Sequence, residues 1–138
     1  MRTLVALAIV GAVAIVSVPS VGAHHSFAAE YDDQKPLKIT GTLTKVDWMN
    51  PHVWYYVDVK NPDGTVTTWA LSGGAPGQLM RRGVTKNLLV IGSEVNVEGF
   101  RAKDGSNNGF GSRVTYADGR NVFTSIPQER PQAPPAAR

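Results

Sequence analysis

Residues 52–71 read HVWYYVDVKNPDGTVTTWAL and describe two β-strands joined by a tight turn. The first strand, residues 52–60, is rich in aromatic and β-branched residues, which favour a pleated, half-buried surface. Residues 61–64, Asn-Pro-Asp-Gly, form the turn, because proline presets φ and glycine accepts a positive φ. Residues 65–71 follow as the next strand. This stretch predicts an antiparallel pair near the middle of the chain.

Alternating apolar residues predict further strands on both sides of this pair. They cover residues 37–48, 94–103 and 113–124, and a short helix is predicted at 78–82. The first of these strands changes register near Gly41 to Thr44, which indicates a bulge. Residues 117–120 supply a turn within the last segment, while residues 104–111 are rich in Gly, Asn and Ser and predict a loop.

Three strands, a helix and two further strands follow one another in the order of an OB-fold, a small, partly open barrel. We therefore predict an all-β protein, a small OB-like barrel of five to six antiparallel strands with one short helix between strands three and four. An open antiparallel sandwich is the alternative. The barrel is expected to span residues 37–126, after a polar N-terminal arm at 24–36 and before a disordered, Pro-rich tail at 127–138.

Composition excludes several classes of function. The 138 residues include no cysteine, which excludes disulfides, thiolate catalysis and Cys-ligated metal sites. A net charge of +3 is too small to track a phosphate backbone, so nucleic acid is not an expected partner. No nucleophile elbow, Walker A loop or His-Glu-x-x-His motif is present, which favours binding over catalysis.

The first 23 residues have the pattern of an export signal. Arg2 supplies a positive start, residues 4–18 are almost entirely apolar, and Ala23 ends a stretch of small residues suited to cleavage. The apolar run is shorter than the roughly 20 residues that a transmembrane helix needs. We expect a periplasmic or secreted protein with no membrane span after cleavage.

Cleavage after Ala23 would make His24 the first residue of the mature chain, with His25 beside it. An N-terminal histidine can chelate a metal through its amine and its ring together. A further imidazole from His25 or His52 would complete the all-nitrogen site that Cu(II) favours. The arm from His24 to Pro36 can extend up to roughly 40 Å, enough to reach the loop that holds His52.

A structural role for these histidines is the alternative to copper binding. His24 and His25 can simply be polar residues after a signal, and His52, which follows Asn50 and Pro51, can be hydrogen-bonded to a loop carbonyl. Met49 is a further soft ligand candidate, although it can also belong to the core.

Aromatic side chains define a second candidate surface. They lie on the first three strands, and the expected partner-binding residues are Trp48, Trp54 and Tyr56. Because residues alternate along a strand, Trp54 and Tyr56 face one side when Tyr55 faces the other. The corresponding face of OB-folds binds oligomeric ligands, so a glycan, a small amphiphile or a protein is a plausible partner.

Several motifs, taken in order, resemble a family of small exported bacterial proteins, domain of unknown function family 6152. They are His24–Phe27, Gly41–Val46, Trp48–His52, Gly73–Pro76, Leu79–Gly83 and Val97–Gly105. The resemblance covers about residues 24–123. It implies an exported, periplasmic, β-barrel-like protein without an established activity, and it brings no assigned catalytic residues.

These observations predict a periplasmic binding protein that holds copper through His24, His25 and His52 and sequesters or delivers it. A metal-free accessory module that binds a protein or glycan through its aromatic sheet face is the alternative. A small copper-dependent oxidase with an N-terminal histidine brace is the third reading, which the small size of the domain disfavours.

Overall fold

A computed structural model of the chain describes residues 27–124. The elements in chain order are α1 Phe27–Glu30, β1 Tyr31–Asp47, β2 Trp54–Lys60, β3 Val66–Ser72, α2 Pro76–Arg81, a 3-10 turn Lys86–Leu88, β4 Glu94–Ala102, β5 Asn108–Tyr116 and β6 Asn121–Thr124. The predicted signal at 1–23, His24, His25 and the tail at 127–138 lie outside the described residues.

The strands form one sheet in the order β3-β2-β1-β4-β5-β6, and β3 also pairs with β5. The predicted all-β class is confirmed, as is the short helix between β3 and β4. One pairing differs from the prediction, because β3 and β5 run parallel over three residue pairs. A ring of five strands cannot alternate in direction all the way round, so one neighbouring pair has to be parallel.

Strand β1 spans 17 residues and serves both halves of the sheet. Residues from Tyr31 to Thr42 pair with β4, and residues from Thr42 to Asp47 pair with β2. The predicted change of register is confirmed as an irregularity between Leu43 and Lys45. The extra residue lets Leu43 and the partly buried Val46 both face the main core.

Two strands, β1 and β5, begin several residues earlier than the sequence predicts. Strand β1 begins at Tyr31 rather than at residue 37, because ladder pairing with β4 holds this polar segment at its two ends. Strand β5 begins at Asn108, within the predicted loop. The glycines there serve close packing, since a Cβ on Gly109 would lie 2.8 Å from the Phe100 carbonyl oxygen.

The core lies inside the ring and follows the alternation of β2. Tyr55 and Val57 are completely buried and pair with Leu71 and Trp69 of β3, while Trp54 and Tyr56 on the opposite face are half-buried. The connection from α2 to β4 closes one end of the ring with three buried side chains, Leu79, Val84 and Leu89. Within residues 27–124, no helix has the length and apolar character needed to cross a bilayer.

Gly111 leaves no room for a side chain beside the ring of Tyr55. The Tyr55 hydroxyl is buried without a hydrogen-bond partner among the described residues, and its ring packs edge-on against Phe123 at 5.6 Å between centroids. A Cβ added to Gly111 would overlap the hydroxyl oxygen, and the ring carbon that bears it lies only 2.8 Å from that position. Gly111 is therefore required because of this ring.

We expect Gly111→Ala to destabilise the fold by about 1–3 kcal/mol, the usual cost of overpacking a core. Tyr55→Phe by itself should cost little, because it removes an unsatisfied buried hydroxyl, and it should partly rescue Gly111→Ala. Urea unfolding of the two single variants and the double variant measures both effects. Gly77→Ala is the matched control, since its new Cβ would meet only Arg81 Nη1, at 3.6 Å. Equal stability of Gly111→Ala and the wild type would contradict this account of the core.

Candidate functional site

A second, smaller apolar cluster lies outside the ring and holds the beginning of the described chain. Its buried members are Tyr31, Ala102 and Phe110, with Phe27 and Phe100 packed against them. The Phe27 ring centroid lies 5.3 Å from that of Phe110 and 5.5 Å from that of Phe100, both in edge-on geometry. Aromatic pairs favour this arrangement. The cluster fixes the position of Phe27, three residues after His24.

Two hydrogen bonds donated by Lys103 hold helix α1 against the turn between β4 and β5. Lys103 Nζ donates a hydrogen bond to the Ala28 carbonyl oxygen at 2.6 Å. The Lys103 backbone N–H donates to the Glu30 carbonyl oxygen at 2.9 Å. Helix α1 has only four residues, so these bonds and the ring contacts of Phe27 hold it in place.

A cavity of about 340 Å³ opens beside this cluster. Its walls come from the α1–β1 junction, the start of β2 and the β4–β5 turn: Ala29, Glu30, Tyr31, Trp54, Ala102, Lys103, Asp104 and Asn108. Trp54 pairs with Ser72, and Ser72 pairs with Phe110. Two strand spacings, about 10 Å, thus separate the Trp54 backbone from the aromatic cluster.

Tyr31 supplies both an aromatic wall and a hydroxyl to the cavity. Burial raises the pKa of Tyr31 to about 12, the largest effect on this group, while the side chains of Ser72 and Glu30 hydrogen-bond with it. The phenol therefore stays protonated near neutral pH. It offers a ligand a neutral hydroxyl rather than a phenolate.

His52 lies in the β1–β2 loop, two residues before Trp54, and is half-buried. The next residue is held on both sides: the Val53 N–H donates to the Gly74 carbonyl oxygen, and the Gly73 N–H donates to the Val53 carbonyl oxygen, each at 2.8 Å. The His52 ring has no hydrogen bond or ion pair with any residue in 27–124. Its backbone is anchored while both ring nitrogens are left for a partner from elsewhere.

The structure separates the sequence-predicted metal ligands into two groups. His52 is described, whereas His24 and His25 precede the first described residue. Residues 27–124 contain no group of three or more His, Asp or Glu side chains that could hold a metal ion. Met49 lies in the same loop as His52 and is 55% exposed, so it is not a core residue.

The three predicted partner-binding aromatics divide between the two faces of the sheet. Trp48 packs against the main core, while Trp54 and Tyr56 lie half-buried on the outer face. Lys45 Nζ stands 4.9 Å from the Tyr56 ring centroid and pairs with Asp47 at 2.7 Å. Tyr56 is therefore partly covered by a charged pair, and only Trp54 lines the cavity.

Sequence reasoning missed two walls of the cavity, Tyr31 and Lys103, and it missed Phe27 in the neighbouring aromatic cluster. Phe27 and Tyr31 belong to the segment that the sequence predicts to be a polar arm. Their aromatic side chains are the feature that could have indicated packing against the sheet. Lys103 belongs to a predicted strand end, and nothing in its neighbours indicates that it reaches α1. Two motifs that carry the family resemblance, His24–Phe27 and Val97–Gly105, converge here at Phe27 and Lys103.

Comparison with known proteins gives one family. A family model described as "Family of unknown function (DUF6152)" matches residues 11–112. No curated protein matches the chain.

Alkaline stability tests the buried state of Tyr31. A pKa raised from 10 to about 12 means that folding retains a proton that the unfolded chain releases. This contribution is complete below pH 10 and is lost as the pH rises toward 12. We expect Tyr31→Phe to flatten the pH dependence of the unfolding free energy between pH 10 and 12. Urea unfolding across this range measures it, and an unchanged slope would contradict the burial of the Tyr31 hydroxyl.

Proposed function

Because the chain belongs to the DUF6152 family, for which no activity is known, we propose a function from its own residues: it is an exported copper-binding protein. Cleavage after Ala23 places it in the periplasm or outside the cell with His24 at its N-terminus. The amine and ring of His24 chelate Cu(II), and the imidazole of His52 or His25 adds a further nitrogen ligand.

The chemistry of these groups suits Cu(II) near neutral pH. The α-amine and imidazole have the reference pKa values closest to neutrality, so both lose their protons to a metal at little cost. Nitrogen donors in a tetragonal arrangement are those that Cu(II) prefers. With no cysteine in the chain, the site has no thiolate to favour Cu(I) or zinc.

The observation that carries the proposal is the anchoring of Phe27 on the same side of the sheet as Trp54. The three residues before Phe27 span at most about 10 Å, enough to extend from the aromatic cluster to Trp54 across two strand spacings, and His52 lies two residues before Trp54. His52 has a fixed backbone and a ring without a partner among the described residues. This geometry supports a copper site formed by His52 and by the short segment that precedes Phe27.

The role that follows is binding, with sequestration or delivery of the ion, rather than turnover. Among the described residues, the cavity beside Trp54 is not lined by His52, so it gives this site no pocket for a substrate. A metal held by the first residue of the chain is also accessible to a partner that removes it.

Copper titration of the mature protein, with its N-terminus verified by intact mass, tests the proposal. We expect one equivalent of Cu(II) with an all-nitrogen electron paramagnetic resonance signal. One glycine placed ahead of His24 keeps every side chain but displaces the amine, so it should weaken binding at least about tenfold, the lower end of what loss of even an outer-shell partner costs. His24→Ala should weaken it similarly, because it removes the ring.

The remaining variants identify the second ligand. Loss of affinity in His52→Ala but not in His25→Ala assigns that role to the loop histidine, and the reverse result assigns it to His25. Met80→Leu changes an exposed methionine of α2, outside this loop, and as the matched control it should bind copper like the wild type. Affinity no tighter than that of a generic exposed histidine would overturn the copper proposal.

A second candidate function rests on Trp54 and the cavity. A half-buried indole beside a protonated phenol and a polar rim of Glu30, Asp104 and Asn108 is suited to a glycan that stacks on the ring. Eight residues line the cavity, whereas a stable protein interface involves roughly 20–30 residues on each side. A glycan therefore suits it better than a protein.

Titration with soluble oligosaccharides, followed by amide chemical shifts, tests this second function. We expect shifts at the β4–β5 turn and the α1–β1 junction, and Trp54→Ala should reduce affinity at least about tenfold through the lost stacking. Tyr56→Ala on the same face but outside the cavity is the control. Shifts spread evenly over the surface, or equal binding by Trp54→Ala, would contradict a glycan site here.

A further inference from the structure

The connection between α2 and β4 presents apolar side chains on two sides. Leu79, Val84 and Leu89 are buried in the core and close one end of the ring. Their neighbours face solvent: Met80 is 58% exposed, Leu88 42%, Val90 51% and Ile91 54%. The exposed side chains thus all belong to the connection that closes this end of the ring.

The same connection carries positive charge with no acidic residue nearby in sequence. Residues 64–93 contain no Asp or Glu but include Arg81, Arg82 and Lys86. None of these three forms an ion pair with a residue in the described range 27–124. Elsewhere, five cations do pair with a carboxylate: Lys35, Lys38, Lys45, Arg113 and Arg120. Three cations without a carboxylate partner in this range thus lie in the same connection as the exposed apolar side chains.

We propose that this surface, which we call the basic apolar surface (Met80, Arg81, Arg82, Lys86, Leu88, Val90 and Ile91), binds the face of an anionic phospholipid bilayer. Peripheral membrane segments combine inserted apolar side chains with Lys and Arg that pair with lipid phosphates. The cations supply the charge complementarity, and the four exposed apolar side chains supply the insertion.

The pattern favours lipid over an acidic protein. The apolar side chains are interleaved with cations along one connection instead of forming a flat, continuous face with a polar rim, as a protein interface would require. Long basic side chains can reach headgroups while neighbouring apolar groups enter the acyl region. An acidic protein partner is treated below as a contrary outcome.

A groove of about 410 Å³ borders the basic apolar surface, between the 3-10 turn and β1. It is lined by Thr44, Lys45, Val46, Lys86, Asn87, Leu89 and Ile91. Lys45 is already paired with Asp47 at 2.7 Å, which leaves Lys86 as the cation available to a phosphate. Val46, Leu89 and Ile91 offer an apolar wall to the first methylenes of an acyl chain.

Vesicle flotation of the mature protein tests the proposal without any metal, so its result is independent of the copper proposal. The probes are vesicles of phosphatidylglycerol with phosphatidylethanolamine and, for comparison, vesicles of phosphatidylcholine alone. We expect binding to the anionic vesicles that weakens as salt is raised. The triple variant Arg81→Gln, Arg82→Gln, Lys86→Gln should bind about 100-fold more weakly, given the usual contribution of each cation at an anionic surface.

A second variant removes the insertion while keeping the charge. Leu88→Ser with Ile91→Ser should reduce binding at least about tenfold. The matched control is Val66→Ser with Lys60→Gln, which removes one exposed apolar residue and one lysine from the β2–β3 hairpin. This control should float like the wild type. Thermal unfolding confirms that each variant is folded before its binding is compared.

Three outcomes would overturn the proposal. Absence of flotation with anionic vesicles is the first, including the case in which the protein instead binds an acidic polypeptide. Undiminished binding by the Leu88→Ser, Ile91→Ser variant is the second, because it would reduce the effect to unspecific charge attraction. Equal loss in the hairpin control is the third, since it would place the contact elsewhere.

Discussion

Strand β1 is the element on which the rest of this structure depends, because both halves of the sheet are built on it. Its first part pairs with β4 and its last part pairs with β2. The irregularity between Leu43 and Lys45 bends the strand where it passes from one partner to the other. Without that bend, β2 and β4 would lie on either side of a straight β1 in an open sheet. Strand β3 could then not pair with β5 to enclose the core.

The seam where the ring closes is also where the candidate site lies. Strands β3 and β5 share only three residue pairs, and Ser72 and Phe110 form the last of them. The aromatic cluster around Phe27 covers β5 on one side of this seam, while Trp54 borders it on the other. A short pairing leaves the outer surface uneven, and the cavity occupies the resulting recess. The position of the site therefore follows from how the sheet closes.

The proposed copper site and the basic apolar surface use different parts of the fold. The first depends on the segment that precedes Phe27 and on a loop held by Val53, Gly73 and Gly74. The second depends on the connection that closes one end of the ring. In both, residues that contribute to packing stand next in the sequence to residues that are proposed to bind: Phe27 follows His24 by three positions, and Leu89 lies between Leu88 and Val90. The two proposals therefore rest on separate parts of one six-stranded sheet and its connections.

Local sequence was sufficient for the all-β class, the turn at Asn61–Gly64, the helix between β3 and β4, and the division of Tyr55 from Trp54 and Tyr56, because these follow from alternation and turn chemistry. It also singled out His52 and Trp54. Only the tertiary structure decided the parallel seam, the early starts of β1 and β5, and the approach of Tyr31 and Lys103 to Trp54. These features depend on contacts between segments that are far apart in the chain. The glycines of β5 allow close packing, but in the sequence they resemble loop residues. The first part of β1 is polar and is held by backbone pairing with β4, so in the sequence it resembles an unstructured arm. The alternation of residues along a strand shows which face of the sheet a side chain lies on, whereas the closure of the sheet by β3 and β5 determines which other side chains it contacts.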